Sequence, residues 1–396
     1  MRAKKLTFLM AFTYMVSYIT RINYGAVIAE MVIAENILKS TLSLAVTGSF
    51  ITYGTGQLVS GFLGDRLQPK KLVFSGLFVT CLMNFLIPLC PSPYAMLVVW
   101  CINGFAQSFM WPPIVKIMTS AMTNDEYQKG IVVVSWGSSA GTILVYLLAP
   151  VLISLSGWRL VFIFSAVCAI IMMFAWQKFC PEINATVKMS KINTLSQGET
   201  FKLFSPIMIM LMLAIIMHGV LRDGATTWMP SYISETYSVK SEISILTSVV
   251  MPIFSIFAFN VTQKIYKQTK NPLTLSGIIF IFGFLSAFAL CLTTGRLVSL
   301  SVLFTALLVG SMHGVNLLLL CMILPYFKKY GNVSFISGAL NACTYIGSAL
   351  STYGIAWIAE KSGWSAILII WTFLALAGGI ICLAISRAFN NKFMNK

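Results

Sequence analysis

Long apolar runs separated by short polar turns follow one another along all 396 residues of this chain. A helix needs ~20 mainly apolar residues to cross a bilayer core ~30 Å thick, and most of the runs reach this length. The pattern predicts twelve membrane-spanning helices, near residues 7–28, 40–63, 72–90, 94–118, 130–154, 158–179, 206–233, 243–263, 272–293, 297–324, 333–358 and 364–387. We therefore expect an all-α membrane protein with no sizeable soluble domain.

An internal repeat divides the predicted helices into two sets of six. Ser156-Gly157-Trp158 opens the sixth helix and Ser362-Gly363-Trp364 the twelfth, and Gly141 and Gly347 share the same offset of 206 residues. The one long polar stretch, residues 181–202, is rich in Asn, Thr, Ser and Lys and predicts a cytoplasmic linker. We expect two pseudo-symmetric halves, residues 1–180 and 203–396, in an arrangement that supports alternating access.

The composition agrees with a lipid environment and explains the basic charge. The chain is 58% hydrophobic and only 10% charged, whereas a soluble surface needs about a quarter of its residues charged. The net charge of +16 comes from Lys and Arg residues that concentrate in alternate loops. This positive-inside bias predicts that the protein spans the inner membrane with both termini in the cytoplasm. The basic excess therefore indicates topology and contact with anionic lipid, and nucleic acid is not an expected partner.

Two arginines lie inside predicted spans rather than in loops. Arg21 is in the first helix and Arg222 in the seventh, at corresponding places in the two halves. A guanidinium near mid-membrane costs roughly 2.5–3.5 kcal/mol on insertion scales, so it normally faces a cavity or a partner. The planar fork of each arginine suits the oxygens of a phosphate or carboxylate. Snorkelling to the interface, or an ion pair with Asp223 in the case of Arg222, is the structural alternative.

Other polar and aromatic side chains near the arginines are candidates for the same site. His218 precedes Arg222 by four residues and shares its helix face, where it would serve proton coupling or simply bond to a helix carbonyl. His313 in the tenth helix has the same two interpretations. The remaining candidates for a polar cavity, each of which would otherwise be packing or an interfacial anchor, are Tyr18, Asn23, Tyr24, Tyr53, Gln57, Trp111, Trp228 and Tyr345.

The loop after the second helix carries a separate signal. Gly61 and Gly64 allow helices to approach closely, and Asp65 and Arg66 can bond to neighbouring helix ends. We expect this segment to act in conformational change rather than in substrate binding.

These motifs resemble those of the major facilitator superfamily. The loop Gly61-x-x-Gly64-Asp65-Arg66 is similar to the superfamily's signature between its second and third helices. A closer resemblance is to the organophosphate:phosphate antiporter family, which includes bacterial glycerol-3-phosphate and hexose-phosphate transporters. The stretches that carry it are Tyr18-x-x-Arg21-x-Asn23, Trp111-Pro112-Pro113, and Leu221-Arg222-Asp223-Gly224 with Trp228-x-Pro230-x-Tyr232.

The resemblance implies that Arg21 and Arg222 are a phosphate-binding pair. The chain also departs from the glycerol-3-phosphate branch, which has a Lys in helix two where Gln57 aligns. That branch has a His in helix five, whose place falls within Ser138-Ser139-Ala140-Gly141 and holds no His. The resemblance therefore implies a phosphate-type site, but it does not imply that glycerol 3-phosphate is the substrate.

The expected function is secondary transport of a small phosphorylated or otherwise anionic metabolite, in exchange for inorganic phosphate. A proton-coupled symporter of sugar acids and a membrane sensor of sugar phosphates are the alternatives. No nucleophile–base pair, nucleotide loop or metal-ligand spacing indicates an enzyme, and the nine cysteines are scattered. We expect no cofactor or metal, and a monomer.

Overall fold

The computed structural model describes residues 2–64, 67–182, 205–323, 326 and 333–391. Nearly all of the predicted linker, residues 181–202, lies outside this part of the chain. The helices are α1 (Arg2–Glu35), α2 (Lys39–Gly64), α3 (Pro69–Leu86), α4 (Pro93–Gln107), α5 (Trp111–Ala121), α6 (Asn124–Ser156), α7 (Trp158–Phe179), α8 (Pro206–Tyr237), α9 (Ser241–Thr247), α10 (Val250–Thr269), α11 (Pro272–Thr293), α12 (Val298–Asn316) and α13 (Val333–Phe389). A 3₁₀ turn (Ile87–Leu89) follows α3, and a π-helical segment (Leu317–Met322) follows α12.

The helices account for the twelve predicted spans. Of the described helical stretches, eight are long and apolar enough to cross a membrane, and the last of them, Gly338–Phe389, has 52 residues, enough for two crossings. Helices α1 and α2, with 34 and 26 residues, are also long enough at 1.5 Å per residue. The remaining span is made of α4 and α5, which follow each other along the chain with a break of three residues, 108–110. Large apolar side chains cover much of the outer surface, as expected of a protein that faces lipid.

Proline sets many of the helix boundaries. Pro69, Pro93, Pro206 and Pro272 each stand at the start of a helix, where the missing N–H costs nothing. The break between α4 and α5 has a related cause. Pro112 and its neighbour Pro113 cannot donate to the preceding turn, so the α-helical ladder stops after Gln107 and begins again at Trp111.

The turn that precedes the last helix has the same backbone geometry in both six-helix sets. Gly157, before α7, has φ 73° and ψ −179°, and Gly363 within α13 has the same values. This positive φ lies in a region that side chains with a Cβ rarely adopt, which is why both positions hold glycine. At Gly363 the long helix α13 therefore divides into the eleventh and twelfth spans.

Each half packs mainly within itself. In the first half α1 packs on α6 and α7, and α2 on α4; in the second, α8 packs on α13 and α12, and α11 on α13. The halves meet along fewer elements, namely α2 with α13, α6 with α9 and α10, and α1 with α8 and α9. A space between the halves is therefore bordered by α1, α2, α6, α8, α10, α12 and α13.

One end of the interface between the halves is joined by polar contacts. The Lys39 ammonium lies 2.6 Å from a carboxylate oxygen of Glu235, and the backbone N–H of Ser40 donates to Glu360 at 2.7 Å. The hydroxyl of Ser241 donates to Glu30 of α1. We call this set of contacts the Lys39 latch, and it holds the two halves together at the end where α1 leads into α2.

Candidate functional site

A cavity of about 100 Å³ lies between the two halves. Charged, hydroxyl-bearing and aromatic side chains from both halves line it. The lining includes Tyr18, Arg21, Phe50, Ser138, Ser139, Thr142, Tyr146, Arg222, Asp223, Thr226, Thr227, Ser255, His313 and Tyr345. Arg21 is 14 residues, or ~21 Å at 1.5 Å per residue, from Glu35 at the end of α1, so the cavity lies deep within the helix bundle.

Arg21 reaches the cavity with its guanidinium held by aromatic rings. Its Cζ atom lies 4.2 Å from the ring centre of Tyr18 and 4.9 Å from that of Tyr53. The Tyr53 ring in turn packs 4.5 Å from Tyr345, which comes from the other half. Among the described residues no hydrogen bond or ion pair is made to the Arg21 side chain. Cation–π contacts position the group but leave all five of its N–H donors available.

Arg222 lines the same cavity but is already engaged. Its Nε and Nη2 donate to the two carboxylate oxygens of Asp223 at 2.7 and 2.8 Å, and Nη1 donates to Oδ1 of Asn316 at 2.8 Å. The hydroxyl of Ser348 donates to Asp223 from α13. The π-helical segment begins directly after Asn316, a kind of distortion that is frequent at functional sites. Two of the five Arg222 N–H groups therefore remain without a partner in this network.

The two arginines occupy equivalent places in their halves. Gly141 of α6 packs against the backbone carbonyl of Met15, and Gly347 of α13 packs against that of Ile216, with no room for a side chain at either glycine. Arg21 follows Met15 by six residues, and Arg222 follows Ile216 by six. The same close helix contact thus positions one arginine from each half at one cavity.

The other predicted site residues fall into three groups. Tyr18 lines the cavity, and Tyr53 touches the guanidinium of Arg21. Trp111 lies one layer back, with its ring 4.8 Å from that of Tyr14, which itself packs on Tyr18.

Four further predicted residues do not line the cavity: Asn23, Gln57, His218 and Trp228. Asn23 is fully buried and donates to Asn84 at 2.8 Å and to Ser165 at 3.0 Å, so it ties α1 to α3 and α7. Trp228 is also fully buried, and its indole N–H donates to the carbonyl of Thr352. Both side chains have the contacts of structural residues.

Gln57 and His218 are buried with unpaired nitrogen atoms. In the described part of the structure neither the Nε2 atom of Gln57 nor that of His218 has a hydrogen-bond partner. His313, by contrast, reaches the cavity, with its ring 5.6 Å from Phe259. Of the two histidines, only His313 on α12 therefore faces the space between the halves.

The predicted conformational loop lies partly outside the described residues. Gly61 and Gly64 belong to the last turn of α2, whereas Asp65 and Arg66 lie outside the described residues.

Several lining residues were not singled out from the sequence. Ser138, Thr142, Thr226 and Ser255 place hydroxyl groups at the cavity from α6, α8 and α10. Small hydroxyl side chains are common in membrane helices, where they bond to carbonyls of the preceding turn, as Thr142 does to Ser138. Their clustering around Arg21 and Arg222 appears only once the helices are assembled.

No group of His, Cys, Asp and Glu within the described residues is arranged to hold a metal ion.

Comparison with known proteins gives relatives that are named as transporters and as a membrane sensor. A protein of Chlamydia muridarum named "Probable hexose phosphate transport protein" is 28% identical over 42% of this chain and 36% of its own length. A glycerol-3-phosphate transporter of Bacillus subtilis is 28% identical over 40% of this chain and 36% of its own length. These two matches therefore span about a third of each relative.

A third relative matches over most of the chain. The membrane sensor protein UhpC of Salmonella typhimurium is 22% identical over 95% of this chain and 89% of its own length. Among solved structures, a bacterial homologue of the human lysosomal transporter Spinster, in an inward-facing and unoccupied conformation, superposes with a TM-score of 0.72. That structure covers 100% of this chain at 14% identity, which is a likeness of fold.

The sequence profile of the Major Facilitator Superfamily matches residues 10–352. Together with the helical fold described above, this match identifies a membrane transporter fold rather than an enzyme, and the chain belongs to the Major Facilitator Superfamily.

Proposed function

We propose that the protein is a secondary transporter of a small phosphorylated anion, of the sugar-phosphate or glycerol-phosphate class. One observation carries this proposal: Arg21 and Arg222, from equivalent positions in the two halves, line one cavity. Two guanidinium groups in a space of low dielectric are costly unless an anion or a carboxylate compensates them. The relatives named as hexose-phosphate and glycerol-3-phosphate transporters support a phosphorylated ligand.

Transport would proceed by alternating access, with inorganic phosphate as the exchanged anion. The Lys39 latch closes one end of the interface between the halves, and a conformation in which it opens would expose the cavity on that side. An anion that contacts both arginines favours approach of the two halves, which supplies the differential affinity that such a cycle requires. The protein would act as a monomer in the inner membrane, with both termini and the linker 181–202 in the cytoplasm, as the basic loops indicate.

Counterflow in proteoliposomes tests the proposal. Vesicles loaded with unlabelled phosphate should accumulate labelled phosphate, and sugar phosphates or glycerol phosphate should compete with it. Sugar acids should compete weakly. Strong competition by sugar acids, combined with dependence on a proton gradient, would favour a proton-coupled carboxylate symporter instead.

A sensor is the second candidate, because the similarity to UhpC extends over 95% of this chain. A sensor would bind the same anions in the same cavity without moving them. The discriminating result is binding of a phosphate ester by the purified protein with no counterflow in vesicles of verified orientation and integrity.

A further inference from the structure

Asp223 is a carboxylate in the wall of the cavity for which an anionic ligand is proposed. It lines the cavity beside Arg222, and only 16% of its side chain is exposed. Consecutive residues on an α-helix point about 100° apart, so Arg222 and Asp223 turn toward each other to form their two hydrogen bonds.

Helices other than α8 fix this ion pair in place. Ser348 of α13 donates to Asp223, while Asn316 at the end of α12 accepts from Arg222. Ser348 also donates to the carbonyl of Thr344, which anchors its own position. The pair is therefore part of the built structure of the second half, rather than a chance contact of two mobile side chains.

The ion pair makes the two arginines unequal. Arg21 has aromatic faces around its guanidinium and all five N–H donors available, whereas Arg222 keeps only two and has its charge balanced by Asp223. An anion entering the cavity would meet one uncompensated positive charge, that of Arg21.

The sum of the charges on the side chains that line the cavity also leaves one uncompensated positive charge. Among its described lining residues the ionised side chains are Arg21, Arg222 and Asp223, which sum to one positive charge. The neighbouring titratable groups are Tyr14, Tyr18, Tyr53, Tyr345, His218 and His313. None of these side chains is a carboxylate, an ammonium or a guanidinium, so the fixed charge of the cavity is that of Arg21, Arg222 and Asp223.

We propose, on the basis of the function proposed above, that Asp223 is a specificity-determining residue which restricts the site to singly charged anions. A monoanion, such as a phosphodiester or the protonated form of a phosphate monoester, neutralises the cavity. A dianion leaves one negative charge uncompensated in a buried space, and burial of an unpaired charge is strongly unfavourable. Removing the charge of Asp223 gives two positive charges, which suits a dianion.

Matched probes of different charge test this inference directly. Methyl sulfate carries one negative charge at pH 8, whereas methyl phosphate, with a second pKa of about 6, carries two. The two ions have nearly the same shape. Calorimetric titration of the full-length protein in detergent at pH 8 would give the affinity for each, in the wild type and in Asp223→Asn.

The wild type should bind methyl sulfate at least ~10-fold more tightly than methyl phosphate, because the second negative charge of methyl phosphate would be left without a partner in the buried cavity. Asp223→Asn should reverse this order, and Asp223→Glu should keep the order of the wild type. Glu35→Gln, which removes a carboxylate of the first half that lies outside the cavity, is the control for a general effect of charge.

The outcomes separate this inference from the proposed function. If the wild type binds neither probe, the proposed anion site itself is wrong and the inference is lost with it. If the wild type binds methyl phosphate as tightly as methyl sulfate or more tightly, the anion site stands and the role of Asp223 is wrong. The comparison within the wild type decides this point even if Asp223→Asn does not fold.

Discussion

Gly141 and Gly347 make the same contact in the two halves of the molecule. Each lies against a backbone carbonyl of the neighbouring helix, that of Met15 for the first and of Ile216 for the second. In each case an arginine follows the contacted residue by six positions. The close packing of α6 on α1 and of α13 on α8 therefore sets where Arg21 and Arg222 stand.

A side chain at either glycine should disrupt the cavity without touching it. In Gly347→Val the new carbons would overlap the carbonyl of Ile216, so α13 and α8 must separate. Overpacking of this kind costs typically 1–3 kcal/mol, and the separation would displace Arg222. We expect a lower Tm in detergent and a large loss of anion binding.

Gly354→Ala is the matched control on the same helix. A Cβ at Gly354 meets no atom within 4 Å, so this variant should keep the Tm and affinity of the wild type. Equal behaviour of Gly347→Val and Gly354→Ala would show that the close contact does not position the arginine.

The Lys39 latch can be tested by comparing two ion pairs, one that joins the two halves and one that lies within the first half. Lys39 pairs with Glu235 across the interface, and the indole of Trp364 also donates to Glu235. We expect Glu235→Gln to weaken closure at this end. A cysteine placed at Thr227, which lines the cavity, should then react several-fold faster with an impermeant thiol reagent added on the Lys39 side, in a background without reactive native cysteines.

The control is the similar ion pair of the first half. Glu35 accepts from the indole of Trp158 and pairs with Arg159, but all three residues belong to the first half. Glu35→Gln should therefore leave the reactivity at Thr227→Cys unchanged. Equal acceleration in both variants would indicate a general loosening of the fold rather than an opening of the latch.

The sequence predicted the fold well, for a simple physical reason. Apolar runs of bilayer length fix the number of helices, and a charged residue within such a run must face a cavity or a partner. The exact bounds of α7 and α11 were predicted because Gly157 and Pro272 mark where those helices begin.

The partners of the predicted site residues could not be read from the chain. Asn316 and Ser348 are 94 and 125 residues distant from their partners Arg222 and Asp223. Nothing in the local pattern distinguishes Asn23, which ties three helices together, from a residue that lines the cavity. Helical periodicity gives the face of a residue but not which helix packs against that face.

Orientation in the membrane is a separate prediction, drawn from the basic loops. A cysteine at Lys191, in the linker, should resist an impermeant thiol reagent added outside intact cells, and one at the exposed Lys361 should react. Both variants would be made in a background without accessible native cysteines. The opposite pattern would place the termini outside and reverse the assignment of the basic loops.

The two arginines allow the most direct test of the anion site. Lysine keeps the positive charge but lacks the planar, two-pronged donor of arginine. Arg21→Lys should weaken binding of methyl sulfate by tens-fold or more, because Arg21 offers its donors to the ligand alone, and a hydrogen bond to a charged group is worth roughly 1.5–3 kcal/mol. Arg222→Lys should have a smaller effect on affinity, since most of the bonds it loses are those to Asp223 and Asn316.

The deciding measurement is the Kd for methyl sulfate of purified Arg21→Lys beside that of the wild type, with Tm recorded to confirm folding. A loss of tens-fold or more with an unchanged Tm is the result that the anion site of Arg21 predicts. An unchanged Kd in well-folded Arg21→Lys would contradict it.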